Sequence, residues 1–148
     1  MLTCEQPKVK VLVVDDHELT RISLGLALKS QSDIELVGTA SNGLEAIDCV
    51  RKTRPDVVVL DLQMPVMDGL SASVQIKAIH PNIKILVYSS VEDPQTEVIV
   101  QTARVDAFCS KETPTAHLIQ AVRELSREKQ TLQADSSPEN STVGGLQS

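Results

Sequence analysis

Asp15-Asp16, Asp61, Ser89-Ser90 and Lys111 are the residues of this sequence whose types could do chemistry together. Three carboxylates brought to one place repel one another and cannot all stay ionised without a compensating cation. A hard divalent ion that prefers oxygen supplies that charge, and Mg²⁺ suits a site with few protein ligands and several waters. Two metal charges and the Lys111 ammonium formally balance the three carboxylates. A dianionic phosphoryl group arriving on Asp61 could then bridge the metal, Lys111 and Ser89. Phosphoryl transfer needs mostly a positioned nucleophile and cations over the equatorial oxygens, and a carboxylate nucleophile yields an aspartyl phosphate. Taken singly, each residue has an ordinary reading: strand-end aspartates as turn or cap residues, Lys111 as a surface lysine, Ser89-Ser90 as an N-cap pair.

These groups share a location in the chain pattern, each standing at the end of a short apolar run. Val9–Val14 ends in Asp15-Asp16, Val57–Leu60 in Asp61, Ile83–Val87 at Tyr88-Ser89-Ser90, and Ala107–Ser110 at Lys111. Ile34–Thr39 is a further strand, followed by the turn residues Ser41-Asn42-Gly43. Between the runs lie helical patterns. From Glu18 to about Ser30, Leu19, Ile22, Leu26 and the stem of Lys29 recur at helical spacing; from Leu44 to Lys52, Ile47 and Val50 face inward. Leu70–Ile79 is a third helix, and Pro94 opens a fourth that runs to about Ala103. Thr113 as N-cap and Pro114 at N1 open a last helix that reaches about Glu128.

Strand and helix thus alternate five times, which predicts an α/β, doubly wound, five-stranded parallel sheet with helices on both faces. With the flavodoxin-like strand order 2-1-3-4-5, the first and third strands are neighbours at the reversal of order, where ligands bind such sheets. His17 reads as a loop or helix-start residue, Asp68-Gly69 as a turn, and Tyr88 and Phe108 as residues in or beside the sheet.

Composition narrows the function. The chain has 148 residues, one Tyr, one Phe and no Trp, so its core is aliphatic and suits a covered sheet better than an aromatic ligand pocket. A net charge of −6 argues against direct nucleic-acid binding or adhesion to an anionic membrane. Cys4, Cys49 and Cys109 are scattered and read as reduced thiols of a cytoplasmic protein. The N-terminus lacks a signal-peptide apolar region, and no apolar run would span a bilayer. Residues 129–148 are polar, with two acids and no bases from Gln130 on, and read as a disordered tail or linker after a domain spanning residues 8–128.

The segments VLVVDDHELTR, SNGLEA, PDVVVLDLQMPVMDG, KILVYSS and the Lys111 that closes AFCSK resemble the receiver domain of bacterial two-component response regulators. The DDH start, the Tyr88-Ser89 pair and Glu112 after Lys111 are most similar to the NarL/FixJ branch. The resemblance implies a phospho-acceptor, not an enzyme acting on other molecules. Asp61 would take the phosphoryl group from a histidine kinase or phosphotransfer protein. Asp16 and Asp61 would be side-chain Mg²⁺ ligands, Gln63 would lend its backbone carbonyl, and Asp15 would act through metal-bound water. Ser89 and Phe108 would be the switch pair: the hydroxyl moves toward the phosphoryl group and the ring fills the space it leaves. Downstream signalling would run through an altered protein-binding surface on a monomer or a weak phosphorylation-dependent dimer.

The pattern departs at Arg104-Val105-Asp106-Ala107, where the family carries Gly-Ala-x-Gly. Arg104 in place of a helix-capping glycine implies about 1 kcal/mol of strain or a different helix end. Gln63 and Val91 flank the route of attacking water, and Val91 offers it no polar handle, which predicts slow to moderate loss of the phosphoryl group. The branch usually continues into a helix-turn-helix domain. The sequence shows none, so the chain reads as a stand-alone receiver or as the receiver of a longer DNA-binding transcriptional regulator. Two other classes share parts of the pattern. An aspartyl-phosphate phosphohydrolase needs an acid where Gln63 stands. A flavodoxin-like electron carrier needs a phosphate-friendly first loop, where Asp15-Asp16 would repel the flavin phosphate.

Overall fold

Runs of β-branched and aliphatic residues build a sheet of five parallel strands, β1 (Val9–Val14), β2 (Ile34–Ala40), β3 (Val57–Asp61), β4 (Lys84–Ser89) and β5 (Ala107–Ser110), ordered β2-β1-β3-β4-β5. The computed structural model describes residues 7–62, 69–89 and 105–134, with four helices, α1 (Glu18–Lys29), α2 (Gly43–Thr53), α3 (Gly69–Ile79) and α4 (Thr115–Ala134). Among the described residues no helix is long and apolar enough to cross a membrane.

The inner strands are buried on both sides, so their alternation divides the core instead of separating core from solvent. Leu12, Val14, Val58, Leu60, Ile85 and Val87 pack with Ala46, Ile47 and Val50 of α2 and Ala72 and Ile76 of α3. Val11, Val13, Val57, Val59, Leu86 and Tyr88 pack on the other face with Leu24 and Leu28 of α1 and Leu118, Ile119, Val122 and Leu125 of α4.

Among the described residues the alternation predicted from sequence holds, and two of its details change. In α1 the apolar spacing of Leu19, Ile22 and Leu26 marks the helix but not its buried side: these residues are 78%, 49% and 61% exposed. Lys29 is exposed as well, and the face laid on the sheet is Leu24, Gly25 and Leu28. A Cβ at position 25 would stand 3.3 Å from Leu36 Cδ2, so glycine there lets the helix lie close to β2. The second detail is α4. It begins one residue after Pro114 and runs past Glu128 to Ala134, because residues 129–134 contain good helix formers and neither Gly nor Pro. Gln63, Asp68, Val91, Arg104, Cys4, the Pro94–Ala103 helix and the residues after Ala134 lie outside the described residues.

Local devices fix the ends that aim the site. Asn42 caps α2 by accepting the Glu45 N–H at 2.9 Å, while Glu45 Oε1 accepts the Ser41 N–H at 2.8 Å. Helix α2 ends on Arg54 in the left-handed region (φ 51°, ψ 65°), and β3 follows. At the opposite edge from the acids, Asp56 accepts the Lys10 N–H at 2.9 Å and Asp106 accepts the Ile85 N–H at 2.8 Å. Each aspartate precedes a strand and satisfies the first donors of its neighbour.

Candidate functional site

The carboxyl ends of β1 and β3 are adjacent, with Val14 opposite Leu60, so Asp15-Asp16 and Asp61 emerge side by side. Asp15 and Asp61 are buried. Carboxylate oxygens of Asp15, Asp16 and Asp61 and a ring nitrogen of His17 all lie within 4.8 Å of one another. Lys111, just past the end of β5, brings its ammonium to 3.3 Å from Asp61 Oδ1 and 3.8 Å from Asp15 Oδ2. Its backbone N–H donates to the Ser89 carbonyl at 2.8 Å, which ties the ends of β4 and β5 together. Ser89 is buried at the end of β4, paired in register with Ser110.

The structure therefore brings Asp15, Asp16, Asp61 and Lys111 into one cluster and sets Ser89 at the end of the adjoining strand. Phe108 stands apart from the acids, partly buried against the core face formed by α2 and α3.

Asp15 is the most tightly held of the acids. Its Oδ1 accepts the His17 N–H at 2.8 Å, with His17 Nδ1 at 3.2 Å, and its Oδ2 accepts the Tyr88 hydroxyl. The Asp15 carbonyl accepts from Arg21 at 2.8 Å. Burial pushes the Asp15 carboxyl up, but the Tyr88 hydroxyl, the His17 N–H and Lys111 outweigh it and hold the group below the usual carboxylate range. Burial, and then the hydrogen bond to Asp15, push the Tyr88 phenol far above the ordinary tyrosine range, so the hydroxyl keeps its proton.

Two residues belong to this site that the sequence pattern did not assign to it. His17, at the N-cap of α1, also places Nδ1 3.2 Å from Asp16 Oδ1. Tyr88 reaches the acids from the α1–α4 face of the sheet. Its signal lay in register: it is the β4 residue opposite Asp61. A strand buried on both faces does not show which side chain turns to the site.

The donor set fits Mg²⁺. Three carboxylates with Lys111 beside two of them leave a net negative cluster of hard oxygens, the composition a small divalent ion takes in preference to nitrogen or sulfur sites. Both Asp15 oxygens accept from protein donors, Oδ1 from the His17 N–H and Oδ2 from the Tyr88 hydroxyl.

The sequence matches the family model described as the response regulator receiver domain over residues 11–123. It is 41% identical over 119 residues to the response regulator protein VraR of Staphylococcus aureus, covering 80% of this chain and 57% of that protein. The fold is similar to the signal receiver domain of the putative response regulator NarL from Mycobacterium tuberculosis, with TM-score 0.76, 27% identity, and 82% and 98% of the two chains covered. It is also similar to a chain of the CheX-CheY-BeF3-Mg²⁺ complex from Borrelia burgdorferi, with TM-score 0.72, 26% identity, and 80% and 90% covered.

Proposed function

This chain belongs to the response regulator receiver domain family, and from that premise we propose that Asp61 is the phospho-acceptor of a Mg²⁺-dependent phosphorelay step. The observation that carries the reading is the cluster itself: buried Asp61, with Lys111 3.3 Å away and Asp15 and Asp16 beside it. The donor is a phosphohistidine of a sensor kinase or phosphotransfer protein, and the chain works as a signalling phospho-acceptor.

Asp61 forms a new O–P bond as the P–N bond of the donor breaks, and the bond's electrons leave with the nitrogen. Asp16, Asp61 and the Gln63 carbonyl would hold Mg²⁺, with Asp15 acting through its water; when bound, the ion offsets the charge of the carboxylates and of the arriving phosphoryl group. Lys111 supplies the cation of the protein itself, and Ser89 the hydroxyl that turns toward the phosphoryl oxygens. Phe108, half-buried on β5, is the ring that responds to Ser89 and passes the change to a protein-binding surface. The similarity to a chain of the CheX-CheY-BeF3-Mg²⁺ complex supports a site that takes a phosphoryl-like group beside that ion.

Phosphoramidate and Mg²⁺ test the reading. The full chain should gain one base-labile phosphoryl group by intact mass, with ammonia leaving, and Asp61→Asn should gain none. Equal labelling of Asp61→Asn would overturn the assignment.

A second reading concerns what surrounds the domain. The chain spans 57% of the length of VraR, and its fold is similar to a structure described as a DNA-binding response regulator of the LuxR family from Staphylococcus aureus; together these support the reading of a receiver that belongs to a longer DNA-binding regulator. An antibody to residues 8–128 would then detect a protein well above 16.0 kDa in cells of the source organism.

A further inference from the structure

We propose that Tyr88 is a positioning residue of the phosphoryl site, its hydroxyl holding Asp15 so that the Lys111 ammonium is left to Asp61. The inference rests on the reading of Asp61 as phospho-acceptor. Tyr88 is buried and faces Asp61 across the β3–β4 register. Its hydroxyl donates to Asp15 Oδ2, a residue 73 positions away in sequence. Its ring lies beneath Lys111, whose Nζ stands 5.2 Å from the ring centroid. One side chain thus touches both the acid and the cation.

The consequence follows from competition for Lys111. The ammonium stands 3.3 Å from Asp61 Oδ1 and 3.8 Å from Asp15 Oδ2. Asp15 is completely buried, and its other oxygen is taken by His17. A buried carboxylate oxygen deprived of a donor is costly. Without the Tyr88 hydroxyl, the cation nearest to Oδ2 is Lys111, which would be drawn toward Asp15 and away from Asp61. The charge that develops on a transferring phosphoryl group would then lose its protein cation. Tyr88 acts through Asp15 and Lys111.

Tyr88→Phe keeps the ring and removes only the hydroxyl. The full chain and this variant would be labelled with phosphoramidate over a range of donor concentrations at saturating Mg²⁺ and followed by intact mass. Mg²⁺ alone would be titrated calorimetrically into each. Tyr88→Phe should lower the rate at saturating donor about tenfold, the size of one charge-assisted hydrogen bond, with KM and the Mg²⁺ Kd within about twofold of wild type. In an Asp15→Asn background no charge draws Lys111 away, and removing the hydroxyl should change the rate less than about twofold. A purely structural role would slow both backgrounds equally. That result, wild-type rates in Tyr88→Phe, or a loss confined to Mg²⁺ affinity would each overturn the inference and leave the Asp61 reading in place. A wild-type chain that takes no phosphoryl group would remove that reading, and this inference with it.

Discussion

At the scale of single residues, the chain balances buried charge with a small number of donors. Asp15 has no exposed surface, yet it stays ionised because Tyr88, His17 and Lys111 converge on it. A carboxyl whose folded pKa lies below its unfolded value stabilises the fold above about pH 4, the unfolded value. That contribution is lost as pH falls through the lower folded value. Denaturant unfolding of the metal-free chain between about pH 6 and pH 3 should therefore show a shallower acid loss for Asp15→Asn than for wild type. An equal slope in the two proteins would contradict the donor arrangement. Arg54 carries a different local cost. It is a non-glycine residue at φ 51° closing α2, where a side chain crowds the following carbonyl. Arg54→Gly should stabilise the chain by about 0.5–1 kcal/mol in the same assay.

At the scale of elements, α1 shows what the sequence holds and what it leaves open. The spacing of Leu19, Ile22 and Leu26 reads as helix and is helix, but Leu24, Ala27 and Leu28 lie on another side of the same segment. With apolar residues on several sides, periodicity identifies the element but not its buried face. Gly25 lies on the buried face, where a Cβ would stand 3.3 Å from Leu36 Cδ2 of β2. Gln substitutions at Leu19, Ile22 and Leu26 should each stay within about 0.5 kcal/mol of wild type. Leu28→Ala should cost about 2–5 kcal/mol, as truncation of a fully buried leucine does. The strands were more legible. β1 and β5 have the limits read from the sequence, and β3, buried along its whole length, is the apolar run ending at an acid that a parallel strand covered on both faces should be. For that reason Asp15, Asp61 and Lys111 could be placed from spacing. The hydroxyl of Tyr88 could not, since its bond to Asp15 spans a register that only the folded sheet creates.

At the scale of the whole molecule, the sheet separates two cores, one under α2 and α3 and one under α1 and α4. On the second side, Arg123 of α4 ties down the loop between α1 and β2, donating to Asp33 at 2.8 and 3.1 Å and to Gln31 at 2.7 Å. Arg123→Ala should cost about 0.5–1 kcal/mol by thermal or denaturant unfolding, since the pair is partly exposed but two-pronged. Phe108 and Tyr88 stand on opposite sides of this partition, the first against α2 and α3 and the second against α1 and α4. The chain has one tyrosine and no tryptophan, so all of its tyrosine emission arises from a phenol bonded to Asp15. The molecule carries its own optical reporter. Titrating Mg²⁺ or a phosphoryl donor into unlabelled protein should change the brightness of that one ring, so occupancy of the acid cluster can be followed by light alone.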